Sequence, residues 1–287
     1  MPCVSIIVAT HNRPDTLAEA LESVQAQIFK DFEIIVISNG ETPQNAAQSQ
    51  KLAALAGARW ISLPDGNVAI ARNAGVAAAA GEWIAFLDDD DIWLPEKLER
   101  QFAAAARTGA DMIVCGSIEF HADGRESLRK WPLPRGWTHL KAICHQKWTA
   151  LPSAVLVRKA AIHAAGGFDP KLRLCEDADL WRRIAWRHSI FEMEEPLARY
   201  RKHPGAASHN RHAMGRYDRR YCMKMIFDTP QEMRHAIPSP LTMARRLILR
   251  SLTPAWLRHP RKTWTALKAQ AWTKGPGKGK NRNRPAL

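Results

Sequence analysis

Residues 83–93, WIAFLDDDDIW, decide the fold. Trp83 to Leu87 is an apolar run of strand length that lacks the alternation of a half-exposed strand, so it reads as a strand buried on both faces. It runs without a turn into Asp88, Asp89, Asp90 and Asp91. Four adjacent carboxylates repel one another and call for compensating positive charge, which a hard divalent cation supplies through carboxylate oxygens. The bland alternative is an acidic, solvated helix start ahead of Pro95. The position at the end of a buried strand favours the cation.

Working outward, Val4 to Ala9 and Phe32 to Ile37 are two more apolar, β-branched runs, and Arg59 to Leu63 is a shorter third. Between them lie helical spacings: Leu17, Leu21 and Val24 behind a cap at Asp15 or Thr16, then Gln44 to Ala56, then Ile70 to Ala80 stopped by Gly81. Strands alternating with helices predict an α/β domain whose parallel sheet is covered on both faces. Ligands of such sheets bind beyond the carboxyl ends of the strands. Three polar clusters fall there: His11-Asn12, Ser38-Asn39-Gly40 and Asp88 to Asp91. After Pro95 the pattern continues with a helix (96–106), a strand (112–115), a loop-rich stretch from His121 to Trp148, a strand (154–157) and a helix (179–187). Glu176 and Asp177 stand just before that last helix, as caps of its dipole or as a general base and its support.

Hydrophobic residues make up 46% of the 287 and charged residues 24%, ordinary for a soluble globular chain. The five cysteines are scattered without a C-x-x-C pair, which argues against a zinc site or disulfide framework. Apolar runs are too short to cross a bilayer and no signal-peptide pattern is visible, so a cytoplasmic body is expected. Charge is uneven: residues 1–198 hold 21 Lys and Arg against 25 Asp and Glu, while 199–287 hold 21 against 3. The first part is net −4 and the second net +18. In the second, Leu247, Leu249, Trp256, Trp264 and Trp272 alternate with cations. That mixture suits the inner face of an anionic membrane; packing on the body and nucleic-acid binding are the weaker readings. The stretch from Lys274 to Leu287 has a disordered composition.

In order along the chain, VSIIVATHNRPDTLAEALESVQAQIFKDFEIIVI, NVAIARNAGVAAAAGEWIAFLDDDDIW, GGFDPKLRLCEDADLWRRI and YRKHPGAAS resemble the motifs of the inverting family-two glycosyltransferases. The resemblance spans roughly residues 2–208. It implies the GT-A fold, a mostly parallel sheet flanked by helices over 1–210, followed by a basic helical extension over 211–287. It implies transfer of a sugar from a nucleoside diphosphate to the hydroxyl of a glycan or lipid-linked acceptor, with inversion, in cell-surface polysaccharide or glycolipid synthesis. Asp88 and Asp90 correspond to the D-x-D pair, with Asp90 and Asp88 on Mn²⁺ or Mg²⁺. Ala9, His11, Asn39, Arg72, Asp88, Asp89 and His203 fall to the donor, Asp177 to the base and Glu176 to its support; Trp181 reads as packing. Two departures stand out. Asn39 replaces an aspartate that reads the base, and His11 replaces an aromatic residue; a UDP- or dTDP-linked donor remains the expectation, since the amide keeps an acceptor and adds a donor. The rivals are a nucleotidyltransferase, which lacks its Gly-rich loop here, and an inactive nucleotide-sugar or membrane-binding module.

Overall fold

The computed structural model describes residues 1–64, 66–129, 132–203, 211–239 and 242–243, and of 211–219 the backbone only. In chain order the elements are β1 (Val4–Thr10), α1 (Pro14–Gln25), β2 (Phe32–Asn39), α2 (Pro43–Leu55), β3 (Arg59–Leu63), α3 (Val68–Ala78), β4 (Trp83–Asp88), β5 (Ile92–Trp93), α4 (Lys97–Thr108), β6 (Met112–His121), β7 (Glu126–Arg129), α5 (His139–Cys144), β8 (Val155–Arg158), α6 (Lys159–Ala164), α7 (Glu176–Ile184), β9 (Ile190–Lys202) and α8 (Arg211–Asp228). One sheet runs in the order β3-β2-β1-β4-β8-β6-β9-β5, with β7 on β6. The first four of these strands are parallel, as the buried apolar runs predict. β8 then runs antiparallel to both β4 and β6, so the sheet as a whole is mixed.

Several local expectations are revised. Helix α1 starts at Pro14, with Arg13 in the cap position and no side-chain cap, rather than behind a cap at Asp15 or Thr16. Proline has its dihedral pre-set for the first helical position and needs no N–H there. The 121–148 stretch is not simply loop: it holds β7 and α5. Glu176 and Asp177 lie inside the first turn of α7, and that helix ends at Ile184. β9 is unannounced by its sequence, because its EMEEP segment is charged and carries Pro196. It forms by pairing in parallel with β6, shifting register between Val114 and Ser117 opposite Pro196.

The core lies on both faces of the sheet. Ile6, Val8, Ile35, Ile37, Ile84 and Phe86 are each at most 1% exposed, the pattern of a sheet covered twice. α3 approaches closely at Gly75, where an added Cβ would stand 2.4 Å from Ile7 Cγ2. Only glycine lets the helix sit that low, and the depth carries the neighbouring Arg72 to the sheet's end. Met1–Pro240 forms one compact unit, which takes in α8 although the basic extension is expected from 211. Lys224 of α8 reaches Asp169 (2.7 Å) and Asp179 (2.9 Å). No helix among the described residues is long and apolar enough to cross a membrane. The amphipathic positions from 247 to 272, the 274–287 tail and the end of YRKHPGAAS lie outside the described residues.

Candidate active site

The parallel register sets the three polar clusters side by side. Ala9 of β1 pairs with Ile37 of β2 and Asp88 of β4, so residues 9–13, 38–40 and 88–91 emerge from one end of the sheet. The convergence expected from topology is present.

The four aspartates do not point at one spot; each has a different set of partners, with Arg13 shared by Asp89 and Asp90. Asp88 Oδ1 accepts from Arg72 Nη2 at 2.6 Å. Asp89 Oδ2 accepts the His11 N–H at 3.1 Å, and its Oδ1 accepts from Arg13 Nη1 at 3.2 Å. Asp90 Oδ2 lies 2.6 Å from Arg13 Nη1 and 3.0 Å from His203 Nε2. Asp91 accepts the Ser153 hydroxyl at 2.6 Å and the Arg201 N–H at 3.1 Å. A tight turn from Asp91 N–H back to Asp88 O fans the side chains apart. The positive charge that the quartet calls for is therefore supplied in part by Arg13 and Arg72. Burial nonetheless raises the Asp89 carboxyl to about 6, with Asp90 adding to the rise and Arg13 opposing it. Asp91 is raised as well, by burial first and then by Asp88 and Asp90.

Arg72 joins this cluster to the start of α7. Its Nη1 donates to Glu176 Oε1 at 2.7 Å while Nη2 holds Asp88. Burial alone would lower its pKa, but the two carboxylates outweigh that and hold it above the ordinary arginine range. The next residue, Asn73, clamps the Phe168 backbone in both directions: its Oδ1 accepts the N–H and its Nδ2 donates to the carbonyl, each at 2.8 Å. That clamp needs Gly167, whose φ of 70° suits glycine and whose added Cβ would meet Asn73 Oδ1 at 2.9 Å. The A-R-N-x-G and G-G-F-D segments are thus one unit in space.

Glu176 is buried. Its carboxyl is raised to about 7, by desolvation first and by Asp177 next, with Arg72 opposing. Asp177 is half-buried and also raised, chiefly by burial. Its Oδ1 accepts the Ala178 N–H at 2.7 Å, and its Oδ2 accepts no hydrogen bond among the described residues. Cys175, just before this pair, takes a left-handed φ of 64°, which is strained for a residue with a Cβ. Trp181 is packing, as expected: it is fully buried beside Phe86 and Phe168, and its indole N–H donates to Ala150 O.

His11 Nδ1 lies 2.7 Å from Asn39 O, so that nitrogen carries the proton, and the Asn12 amide stands 3.3 Å from Nε2. The buried Asn39 Oδ1 has no hydrogen-bond partner among the described residues. No disulfide joins any of the five cysteines, all of which lie among the described residues.

The sequence profile of glycosyl transferase family 2 matches residues 5–165, more than half of the chain. The chain belongs to that family. An uncharacterised glycosyltransferase of Methanocaldococcus jannaschii is 30% identical over 207 residues, covering 70% of this chain and 71% of that protein. The amylovoran biosynthesis glycosyltransferase AmsE of Erwinia amylovora is 28% identical over 211 residues, covering 69% and 75%. Against an uncharacterised glycosyltransferase of Rickettsia felis, 27% identical over 207 residues and covering 70% of this chain, the match spans only 34% of the relative. Among solved structures, S. aureus TarS 1-349 in complex with UDP-GlcNAc superposes with a TM-score of 0.65 at 18% identity, covering 89% and 74%. The mannosyltransferase PcManGT of Pyrobaculum calidifontis, in complex with GDP-Man and Mn²⁺, gives 0.63 at 17%, covering 96% and 76%. These superpositions establish the GT-A fold.

In this family 2 chain the positions expected at the site are assembled in two connected groups. Ala9, His11, Asn39, Asp88, Asp89, Asp90 and His203 border the sheet end, and Arg72 links them to Glu176 beside Asp177. Sequence reading missed Arg13, Asn73, Ser153 and Arg201. Arg13, Asn73 and Arg201 stand inside the quoted motifs, so their motif positions were the available signal. Ser153 has none: its hydroxyl accepts the Asp88 N–H and donates to Asp91 across 65 and 62 residues of chain.

Proposed function

We propose that this family 2 member is an inverting glycosyltransferase, moving a sugar from a UDP- or dTDP-linked donor to an acceptor hydroxyl in cell-surface glycan or glycolipid synthesis. The observation that carries the reading is the bridge by which buried Arg72 joins part-exposed Asp88 to buried Glu176. It holds the strand-end cluster, where a diphosphate would be handled, against the helix turn that offers a base.

Asp177 is the base. A carboxylate whose pKa is raised by burial takes a proton more readily than an exposed one. It accepts the acceptor hydroxyl's proton as that oxygen bonds to the anomeric carbon, and the bond from that carbon to the diphosphate breaks with its electron pair leaving on the phosphate. One displacement from the opposite face inverts the centre. Glu176, held by Arg72, positions the turn. Asn39 Oδ1, buried without a partner, is an acceptor suited to the ring N–H of uracil or thymine, and His11 offers its ring beside it.

No group of three His, Cys, Asp or Glu side chains that could hold an ion is found among the described residues. Asp90 and His203 nonetheless bring a carboxylate and an imidazole together, with Asp88 two residues away. That sparse set fits an Mn²⁺ or Mg²⁺ ion that completes its shell with water and substrate phosphates rather than in a protein cage. When bound, the ion would neutralise charge on the leaving diphosphate.

The net +18 of residues 199–287 supports peripheral attachment to the anionic inner face of the cytoplasmic membrane, where a lipid-linked acceptor would lie. Hydrolysis of UDP- and dTDP-sugars with and without Mn²⁺ tests the core reading. Turnover of none of them in either condition would favour an inactive binding module.

A further inference from the structure

Asp90 Oδ2 is already in use. It stands 2.6 Å from Arg13 Nη1 and 3.0 Å from His203 Nε2. An ion on either oxygen of that carboxylate would sit against the guanidinium, and two positive charges at that range repel strongly in a site this shielded. One cation has to give way. Arg72 is not placed to do so, being buried and held on two sides. Arg13 is: its side chain is 36% exposed, and it occupies the cap position of α1 without making a cap hydrogen bond. Its second partner, Asp89 Oδ1 at 3.2 Å, is fixed in turn through Oδ2 by the His11 N–H, so the arm keeps a tether when it leaves Asp90.

We infer that Arg13 stands in for the divalent cation on Asp90 and is exchanged for it when the donor binds, its guanidinium passing to the donor's diphosphate. This rests on the proposed donor and metal reading. Three consequences follow from the charges. Without nucleotide, Arg13 keeps the ion off Asp90. With nucleotide, the diphosphate offers Arg13 two-pronged recognition that replaces the lost carboxylate. Ion and donor therefore bind cooperatively, because each removes the obstacle to the other.

The test uses the full chain, with MnCl₂, UDP and GDP as probes. Mn²⁺ binding is measured by electron paramagnetic resonance without nucleotide. UDP and GDP binding are measured by calorimetry in EDTA and in Mn²⁺. Arg13→Gln is expected to bind Mn²⁺ alone at least about tenfold more tightly than wild type, and to bind nucleotide in EDTA about tenfold more weakly, the scale of a hydrogen bond to a charged group. Arg13→Lys keeps the charge and is expected to leave Mn²⁺ binding as weak as in wild type. Unchanged or weaker Mn²⁺ binding by Arg13→Gln overturns the inference. So does tight Mn²⁺ binding by Arg13→Lys, which also decides the matter if the Gln variant fails to fold. A wild-type chain that binds neither UDP nor GDP in any condition overturns the donor reading beneath it. A wild-type chain that binds them while Arg13→Gln gains no Mn²⁺ affinity overturns the role of Arg13 alone.

Discussion

Arg72 and Glu176 stand 104 residues apart in sequence and 2.7 Å apart in the fold, and the same guanidinium holds Asp88 at 2.6 Å. The bridge ties the third helix and fourth strand of the sheet to the turn that carries Asp177.

Replacing Arg72 with alanine leaves buried Glu176 and part-exposed Asp88 without their shared cation. Breaking a buried ion pair by removing one partner costs about 3–5 kcal/mol, so urea unfolding should shift by that order. Adding Glu176→Gln removes one of the stranded charges. The double variant should therefore be more stable than Arg72→Ala alone; a double variant less stable than that would show that the bridge is incidental.

Asp177→Asn should keep nucleotide affinity and lower the transfer rate at least about a hundredfold, the scale of a lost general base. Stability should hardly move, since Oδ1 survives in asparagine to accept the Ala178 N–H. Single-turnover transfer alongside nucleotide calorimetry separates the two effects. Unchanged transfer would reduce Asp177 to a helix-start residue.

Asp90→Ala should abolish the Mn²⁺-dependent part of nucleotide binding. It also releases Arg13 and His203 from their shared carboxylate oxygen. Calorimetry with UDP in Mn²⁺ and in EDTA should then give the same affinity. A persisting difference would move the ion elsewhere.

Lys97 is fully buried, with Nζ donating to Gln101 Oε1 at 2.8 Å and lying 3.9 Å from the centre of the Trp93 ring. Burial lowers its pKa from 10.5 to about 8. Between those values the unfolded chain binds the proton more readily than the folded one, so the Lys97 contribution to stability grows as pH rises through that window. Urea midpoints at pH 8 and pH 10 should show the wild type gaining relative to Lys97→Met. Parallel behaviour of the two chains would mean that Lys97 is charged equally easily in both states.

A chain ending at Pro240 should lose binding to anionic vesicles yet still bind nucleotide, because every side chain placed in the donor site precedes residue 204. Full-length binding should weaken with added salt as exposed charges are screened. Co-sedimentation at low and high salt reads both effects. Equal sedimentation of the two chains would show that the basic segment is not the anchor.

The runs at Val4, Phe32 and Trp83 announced three parallel strands, since a strand buried on both faces is apolar throughout, and the shorter run at Arg59 supplied the edge strand β3. The parallel order of those strands puts His11, Asn39 and the aspartates at one carboxyl end of the sheet, where ligands of such sheets bind. The motif order then marked Arg72, Glu176 and Asp177. What the sequence could not contain was the pairing of charges. Four identical neighbours, Asp88 to Asp91, have the same side chain and nearly the same local context. Yet one meets Arg72, two meet Arg13, one of those also meets His203, and the last meets Ser153 and the Arg201 backbone. Those partners lie 16 to 113 residues away. β9, whose charged and proline-bearing stretch carries no strand signal of its own, exists because β6 offers it a ladder, and it delivers Arg201 and His203 to the site. Burial periodicity is a local property that a sequence displays directly. Which cation neutralises which carboxylate is decided by distances of a few ångströms between segments, and those distances exist only once the sheet has assembled.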